Sequence, residues 1–126
     1  MGAMVKLVFC CRRLPTLSRE EFQHYWRETH GPLVRRHAAI LRIRRYVQSH
    51  TLDHPMNAAL AHGRDAPEPF DGVAELWWDS ADELAAATAT ADGRAAAQEL
   101  FEDERRFIDH ARSPLWLCEQ HPFVDG

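Results

Sequence analysis

Three short stretches of the chain, LVFCC at 7–11, VAELWW at 73–78 and LWLC at 115–118, are apolar at nearly every consecutive position. Successive side chains of a β-strand point to opposite faces, so each stretch carries apolar groups on both. A sheet with one solvated face alternates apolar and polar residues instead. Strands of this kind need a cover on two sides, and that demand limits the folds open to the chain more than any single motif does.

The order of elements supplies one cover. Residues 5–13, VKLVFCCRR, read as a strand closed by Leu14-Pro15. Ser18 with Glu21 three residues on is a capping box, so an amphipathic helix starts near Arg19, with Phe22, Tyr25, Trp26 and Thr29 at helical spacing. Gly31-Pro32 is expected to interrupt or bend it, because proline lacks an amide donor. Leu33, Val34, His37, Ile40 and Leu41 then restore the period. Residues 42–51 read as a second strand, with Ile43, Val47 and Thr51 on one face and Tyr46, Gln48 and His50 on the other. Residues 53–71 read as a loop with a short helical piece near 56–62. GVAELWWD is a third strand, Ser80 caps a second helix with Glu83, and a helical pattern resumes at 92–94 with Leu100, Phe101, Phe107 and Ile108 as its apolar side. SPLWLCEQH closes the chain as a fourth strand. Strand, helix, strand, strand, helix, strand is a doubled βαβ unit, which predicts an α+β, ferredoxin-like sandwich with a four-stranded antiparallel sheet. Two helices cover one face only. The other is expected to meet the same face of a second copy, a homodimer closed by a two-fold axis.

At 126 residues the chain suits one domain, read as 4–121, with residues 1–3 as an expression scar and 122–126 as a C-terminal tail. No apolar run approaches the roughly 20 residues that cross a bilayer, and the start lacks the order of a secretion signal, so the expectation is a cytoplasmic protein with no membrane partner. Cys10, Cys11 and Cys118 cannot all pair and read as reduced, buried thiols. Residues 1–50 hold ten Lys/Arg against three Asp/Glu, and residues 51–126 five against sixteen. With no nucleic-acid motif among the arginines, that asymmetry predicts a basic half meeting an acidic half, within a chain or between chains, and no nucleic-acid partner.

The fragment HYWRETHGPLVRRH at 24–37 concentrates the candidate chemistry. Trp26, His30, Leu33, Val34 and His37 share one helical stripe facing the sheet. His30, at the expected break, is the candidate acid/base, since a neutral imidazole there can exchange protons with a bound carbonyl or enol. His24 falls on the outer face. Tyr46 is a candidate donor to a developing oxyanion, with His50 to orient it. Glu75 lies inside an apolar run and needs a partner, expected among Arg42, Arg44 and Arg45. There is no GxGxxG, Walker loop, GxSxG elbow or CxxC, and the histidine spacings give no convincing metal site, so neither cofactor nor metal is expected.

On KLVFCCRR, SREEFQHYWRETHGPLVRRH, RIRRYVQSHT and FDGVAELWWD, and most specifically on YWRETHGPL, the chain resembles the EthD family over about residues 4–121. That resemblance implies a dimeric α/β barrel, with the sheets of two ferredoxin-like chains face to face, and makes His30 the position suspected of acting on substrate. The resulting expectation is a cofactor-independent enzyme that acts on an aromatic or polyketide-like carbonyl compound by proton transfer, as cyclases and dehydratases do. His30, Tyr46 and His50 would be the catalytic group, and Trp26, His37, Glu75 and Trp78 would contact substrate. Two alternatives stand beside it: a non-catalytic accessory or binding protein of an ether-degrading cytochrome P450 pathway, and a cofactor-free oxidoreductase or monooxygenase.

Overall fold

The computed structural model describes residues 4–125; the expression-scar reading of residues 1–3 lies outside the described residues. Four strands, β1 (Val5–Cys11), β2 (Arg45–His50), β3 (Gly72–Trp78) and β4 (Leu115–Glu119), form one sheet in the order β2-β3-β1-β4, every neighbour antiparallel. This is the ferredoxin-like α+β arrangement, in which each helical crossover skips one strand. β2 starts three residues later than its alternation suggested. Arg42 takes a left-handed backbone (φ 59°), so the chain is still turning there.

The first crossover is a helix in three parts: α1 (Arg19–Tyr25), a π-helical turn (Trp26–His30) and α2 (Gly31–His37). Its start is the expected capping box, with Glu21 N–H donating to Ser18 Oγ (3.0 Å) and Ser18 N–H to Glu21 Oε1 (2.9 Å). Gly31-Pro32 does not break it. The Gly31 amide donates to the Trp26 carbonyl five residues back, and His30, Gly31 and Ala38 all keep right-handed helical dihedrals. Pro32 falls in the first turn of α2, where a missing amide is tolerated. The wide turn corrects the stripe as well. Thr29, expected inward, is exposed, and the buried steps run Phe22, Trp26, His30, Leu33, Val34.

A short helix, α3 (Pro55–His62), lies in the loop before β3. The second crossover is α4 (Ala81–Ala89) and α5 (Ala91–Glu104), separated where Thr90 caps α5 through the Gly93 amide (2.9 Å). α5 stops at Glu104, earlier than its pattern suggested. Phe107 and Ile108 are buried in the turn that follows, and Ile108 pairs with Arg13. Phe101, read as apolar core, is instead exposed and stacks on His110.

Both helical layers lie on one face of the sheet. Leu7, Phe9, Cys11, Tyr46, Ala74, Leu76 and Trp78 point toward them. Lys6, Val8, Arg45, Val47, Val73, Trp77 and Trp116 stand on the other face by strand alternation. There the Lys6 ammonium and the Arg45 guanidinium lie over Trp77, while Trp116 keeps 48% of its surface exposed.

The basic first half and acidic second half meet within the chain. Asp71, 1% exposed just before β3, accepts from the Arg13 amide (2.8 Å), the Arg13 guanidinium and Arg19 Nε (3.0 Å). Burial alone would raise its pKa, but these donors outweigh burial and hold it below the ordinary carboxylate value. The cluster ties the end of β1, the start of α1 and the start of β3 together, which fixes the helix carrying His30 over the sheet.

Candidate functional site

His30 is 4% exposed, and its Nδ1 lies 2.8 Å from Asp103 Oδ2. The other carboxylate oxygen of Asp103 accepts from the Tyr25 hydroxyl at 2.6 Å. A carboxylate only accepts, so in the neutral imidazole Nδ1 carries the ring proton and the lone pair lies on Nε2. The ring hydrogen bond seen among the described residues is the one at Nδ1. Burial first, and then the contact with Asp103, raise the Tyr25 phenol above its ordinary pKa, so Tyr25 stays a donor. The His30 ring also packs against Phe107, centroids 5.0 Å apart. Imidazole, carboxylate and phenol thus hold one another in fixed orientation inside the protein.

Beside them, between the helices and the sheet, is a cavity of about 190 Å³. His30 and Glu104 line it from the helical side, Tyr46 from β2, and Trp26 and Trp78 from two walls. Burial pushes the Tyr46 hydroxyl up to about 12, against a small opposing effect of the Gln48 hydrogen bond. At neutral pH it is a donor. Burial raises the Glu104 carboxyl, while a 2.9 Å contact with His110 Nε2 opposes that shift. Trp78 is anchored by its indole N–H, which donates to the Leu41 carbonyl at 2.7 Å.

The orientation of Tyr46 comes from Gln48, which the sequence reading placed on the same strand face but gave no role. Gln48 Nε2 lies 2.8 Å from the Trp26 carbonyl, which only accepts, so this is the donor end of the amide. The same Nε2 donates to the Tyr46 oxygen at 2.8 Å. Gln48 Oε1 then faces His50 Nε2 at 2.7 Å, and the imidazole donates. Tyr46 therefore accepts from Gln48, and its own proton is left to point elsewhere. His50 does not line the cavity. It stacks on Trp26 (centroids 4.5 Å apart), its Nδ1 is buried without a partner, and burial followed by the nearby Arg27 lowers its pKa. It reaches Tyr46 only through Gln48.

Two other expected substrate contacts sit away from the cavity. Glu75 is on the opposite face of the sheet, and its partner is Lys6 (2.6 Å) rather than Arg42, Arg44 or Arg45. Arg42 and Arg44 pair with Glu83 and Asp79, and Arg45 stacks on Trp77. His37 lies beyond the cavity on α2, 2.9 Å from the exposed Glu99. His24 is exposed, as expected. Asp103 went unread in the sequence although a signal was present. Ala96, Leu100 and Asp103 follow the helical seam of α5, with Phe107 buried in the turn beyond it, and a carboxylate on an apolar seam needs a buried partner.

Fold and site together define an α+β ferredoxin-like protein with a histidine–aspartate pair buried against a largely apolar, partly open cavity. Residues 14–111 match the EthD domain, and the chain belongs to the EthD family. Among solved structures it is similar to an ethyl tert-butyl ether D (EthD) family protein from Bacillus halodurans, at 23% identity and a TM-score of 0.62, covering 94% of this chain and 99% of that one. It is also similar to a dimeric ferredoxin-like protein from Thermobifida fusca, at 16% identity and a TM-score of 0.60, covering 95% and 93%. A third similarity is to SnoaB, a cofactor-independent oxygenase from Streptomyces nogalater, at 15% identity and a TM-score of 0.54, covering 99% and 100%. At these identities the likeness is one of fold. No curated protein matches the chain in sequence. Among the described residues no helix is long and apolar enough to cross a membrane.

Proposed function

We propose that this protein is a small-molecule enzyme that moves a proton on an aromatic or polyketide-like carbonyl compound with its own side chains. The observation that carries the reading is the His30–Asp103–Tyr25 arrangement at the wall of a cavity that Tyr46 also lines. His30 Nε2 takes a proton from the carbon next to the carbonyl. The C–H electron pair moves into the C–C bond, the carbonyl π pair moves onto oxygen, and the Tyr46 hydroxyl stabilises the charge that forms there. Asp103 stabilises the imidazolium. Return of the proton completes an exchange, and loss of a leaving group or attack by the enolate would give dehydration or cyclisation.

Two copies pair through the open sheet face. Support comes from the exposed Trp116, from Val8 beside it and Val73 and Val47 further across the same face by strand alternation, and from the similar fold of a dimeric protein from T. fusca.

The function is tested with acetophenone as probe. Its methyl protons exchange with D2O on enolisation, which NMR follows directly. Exchange catalysed by the wild-type protein and reduced at least a hundredfold in His30→Gln, with the fold intact by circular dichroism, is the expected result. Equal exchange by the two proteins would remove His30 from the chemistry.

A further inference from the structure

We infer that the cavity selects one small uncharged carbonyl compound, a single ring with a short substituent, and excludes both fused-ring polyketides and charged ligands. The inference rests on the proposed function for the polar end of the ligand and on the cavity alone for its size and charge.

Size comes first. A closed apolar cavity of roughly 150 Å³ takes one benzene ring, whereas sites for drug-sized ligands begin near roughly 300 Å³. Partly open at its mouth, this cavity encloses about 190 Å³, room for a ring and a short side chain. Its limits are set from the sheet by Ala74 and Leu76, from α5 by Ala97 and Leu100, and at the ends by Trp26 and Trp78. Trp26 cannot swing away freely, because its edge occupies the space over Gly72 and its ring stacks on His50.

Charge follows from the wall. No lysine or arginine among the described residues lines the cavity, so a bound carboxylate or phosphate would be desolvated with no cation to meet it. It would also face Glu104, whose carboxyl lies in the wall, with Asp103 behind His30. A bound ammonium would be desolvated as well: Asp103 stands behind His30 and already accepts from Tyr25 and His30, and burial raises the Glu104 carboxyl toward its neutral form, which weakens it as a countercharge. Toward a ligand the wall offers the Tyr46 hydroxyl as a donor and His30 Nε2 as an acceptor, beside the second oxygen of Glu104, while the Thr88 hydroxyl donates to its own helix. A carbonyl oxygen answers the first and an adjacent acidic C–H or enol O–H the second.

Four probes separate these features. Acetophenone is neutral with one ring, benzoate is its anionic counterpart of similar size, 1-phenylethylammonium its cationic counterpart, and anthrone a neutral ketone of three fused rings. Binding to the wild-type protein is followed at neutral pH by the indole N–H resonances of Trp26 and Trp78. Acetophenone is expected to bind at least tenfold more tightly than each of the other three. Ala74→Leu and Ala97→Leu, which narrow the cavity from opposite walls, are expected to weaken it at least fivefold, and either folded variant suffices. Equal or tighter binding of benzoate, 1-phenylethylammonium or anthrone, or no binding of acetophenone, overturns the selectivity. The readout is binding, so selective binding without His30-dependent exchange would refute the proposed chemistry alone. His30-dependent exchange with a fused-ring or charged substrate bound equally well would refute the selectivity alone.

Discussion

Replacing Asp103 by asparagine tests the chemistry where the geometry is most specific. The wild-type carboxylate accepts from His30 Nδ1 at 2.8 Å through one oxygen and from the Tyr25 hydroxyl at 2.6 Å through the other. Asparagine offers one acceptor and one donor in nearly the same shape, so both bonds cannot survive as they are. If the new oxygen faces Tyr25, the NH2 group faces Nδ1 and drives the ring proton to Nε2. The cavity side of His30 then changes from acceptor to donor. If the amide turns the other way, Nδ1 keeps its proton, but Tyr25 meets an NH2 group and the imidazolium loses its countercharge. Either outcome removes most of the general-base contribution, typically about 10²- to 10⁴-fold, which is about 3 to 5 kcal/mol of barrier. The loss of one buried hydrogen bond to a charged group lowers folding stability by about 1.5 to 3 kcal/mol. Exchange of the acetophenone methyl protons in D2O measures the first effect and urea denaturation the second. ¹⁵N shifts of His30 report the tautomer independently. An Asp103→Asn variant that exchanges within threefold of wild type, folded by near-ultraviolet circular dichroism, would show that the carboxylate does not set the state of His30. A wild-type His30 with its proton on Nε2 would refute the same reasoning without any mutation.

Three further outcomes follow from other parts of the fold. Asp71→Asn is expected to cost about 2 to 3 kcal/mol at pH 7, somewhat under the usual penalty for breaking a buried pair because both arginines are about one-third exposed and can turn to water. The wild-type Asp71 pKa lies below its unfolded value, so its stabilisation is complete above that value and disappears as pH falls through the folded pKa. The gap between the thermal melts of the two proteins should therefore begin to narrow as pH falls below about 4, the ordinary carboxylate value, and close only below the lower folded-state pKa of Asp71. Trp116→Lys places a charge on the open sheet face and is expected to convert dimer to monomer in sedimentation velocity at micromolar concentration; an unchanged dimer would place the interface elsewhere. Gly72→Ala puts a methyl group into the Trp26 ring edge and 2.9 Å from the Ser49 carbonyl. It is expected to cost about 2 kcal/mol in denaturant titrations and to lower acetophenone affinity, since the indole it displaces is a cavity wall.

What could be read from the residues depended on the range over which each signal acts. The capping box at Ser18 and the strand alternation at 45–50 are local, and they appear as expected; at Ser80 only the hydroxyl half of the box forms, because the Glu83 carboxylate pairs with Arg42. The burial of His30 followed from its phase with Trp26, and the facing of Tyr46, Gln48 and His50 from their period of two. Asp103 was harder because the group that explains it lies 73 residues earlier, and no local pattern says which buried histidine meets which buried carboxylate. Gln48 was passed over because a neutral amide carries no chemistry by itself; its role emerges only once Trp26, Tyr46 and His50 surround it. Lys6 was missed as the partner of Glu75 because the choice among neighbouring strands depends on sheet order, and β1 rather than the start of β2 and the turn before it supplies the cation. Pro32 was read as a break, but the chain absorbs it by widening one turn ahead.

That widened turn also makes the helix a place where the length of the chain can change. At about 100° per residue, the eight-residue step from Trp26 to Val34 would overshoot by about 80° in a regular α-helix, yet both side chains are buried on the same side. The π turn absorbs nearly one residue. A chain shorter by one position between Arg27 and Thr29 would wind as an uninterrupted helix and still bring Phe22, Trp26 and the valine to the sheet. What such a shortened relative would lose is the displaced Trp26 carbonyl, now held by the Gly31 amide and Gln48 Nε2. With it would go the link that aims Tyr46. Within this fold, then, one inserted or deleted residue can separate a chain that reacts with its ligand from one that only packs around it.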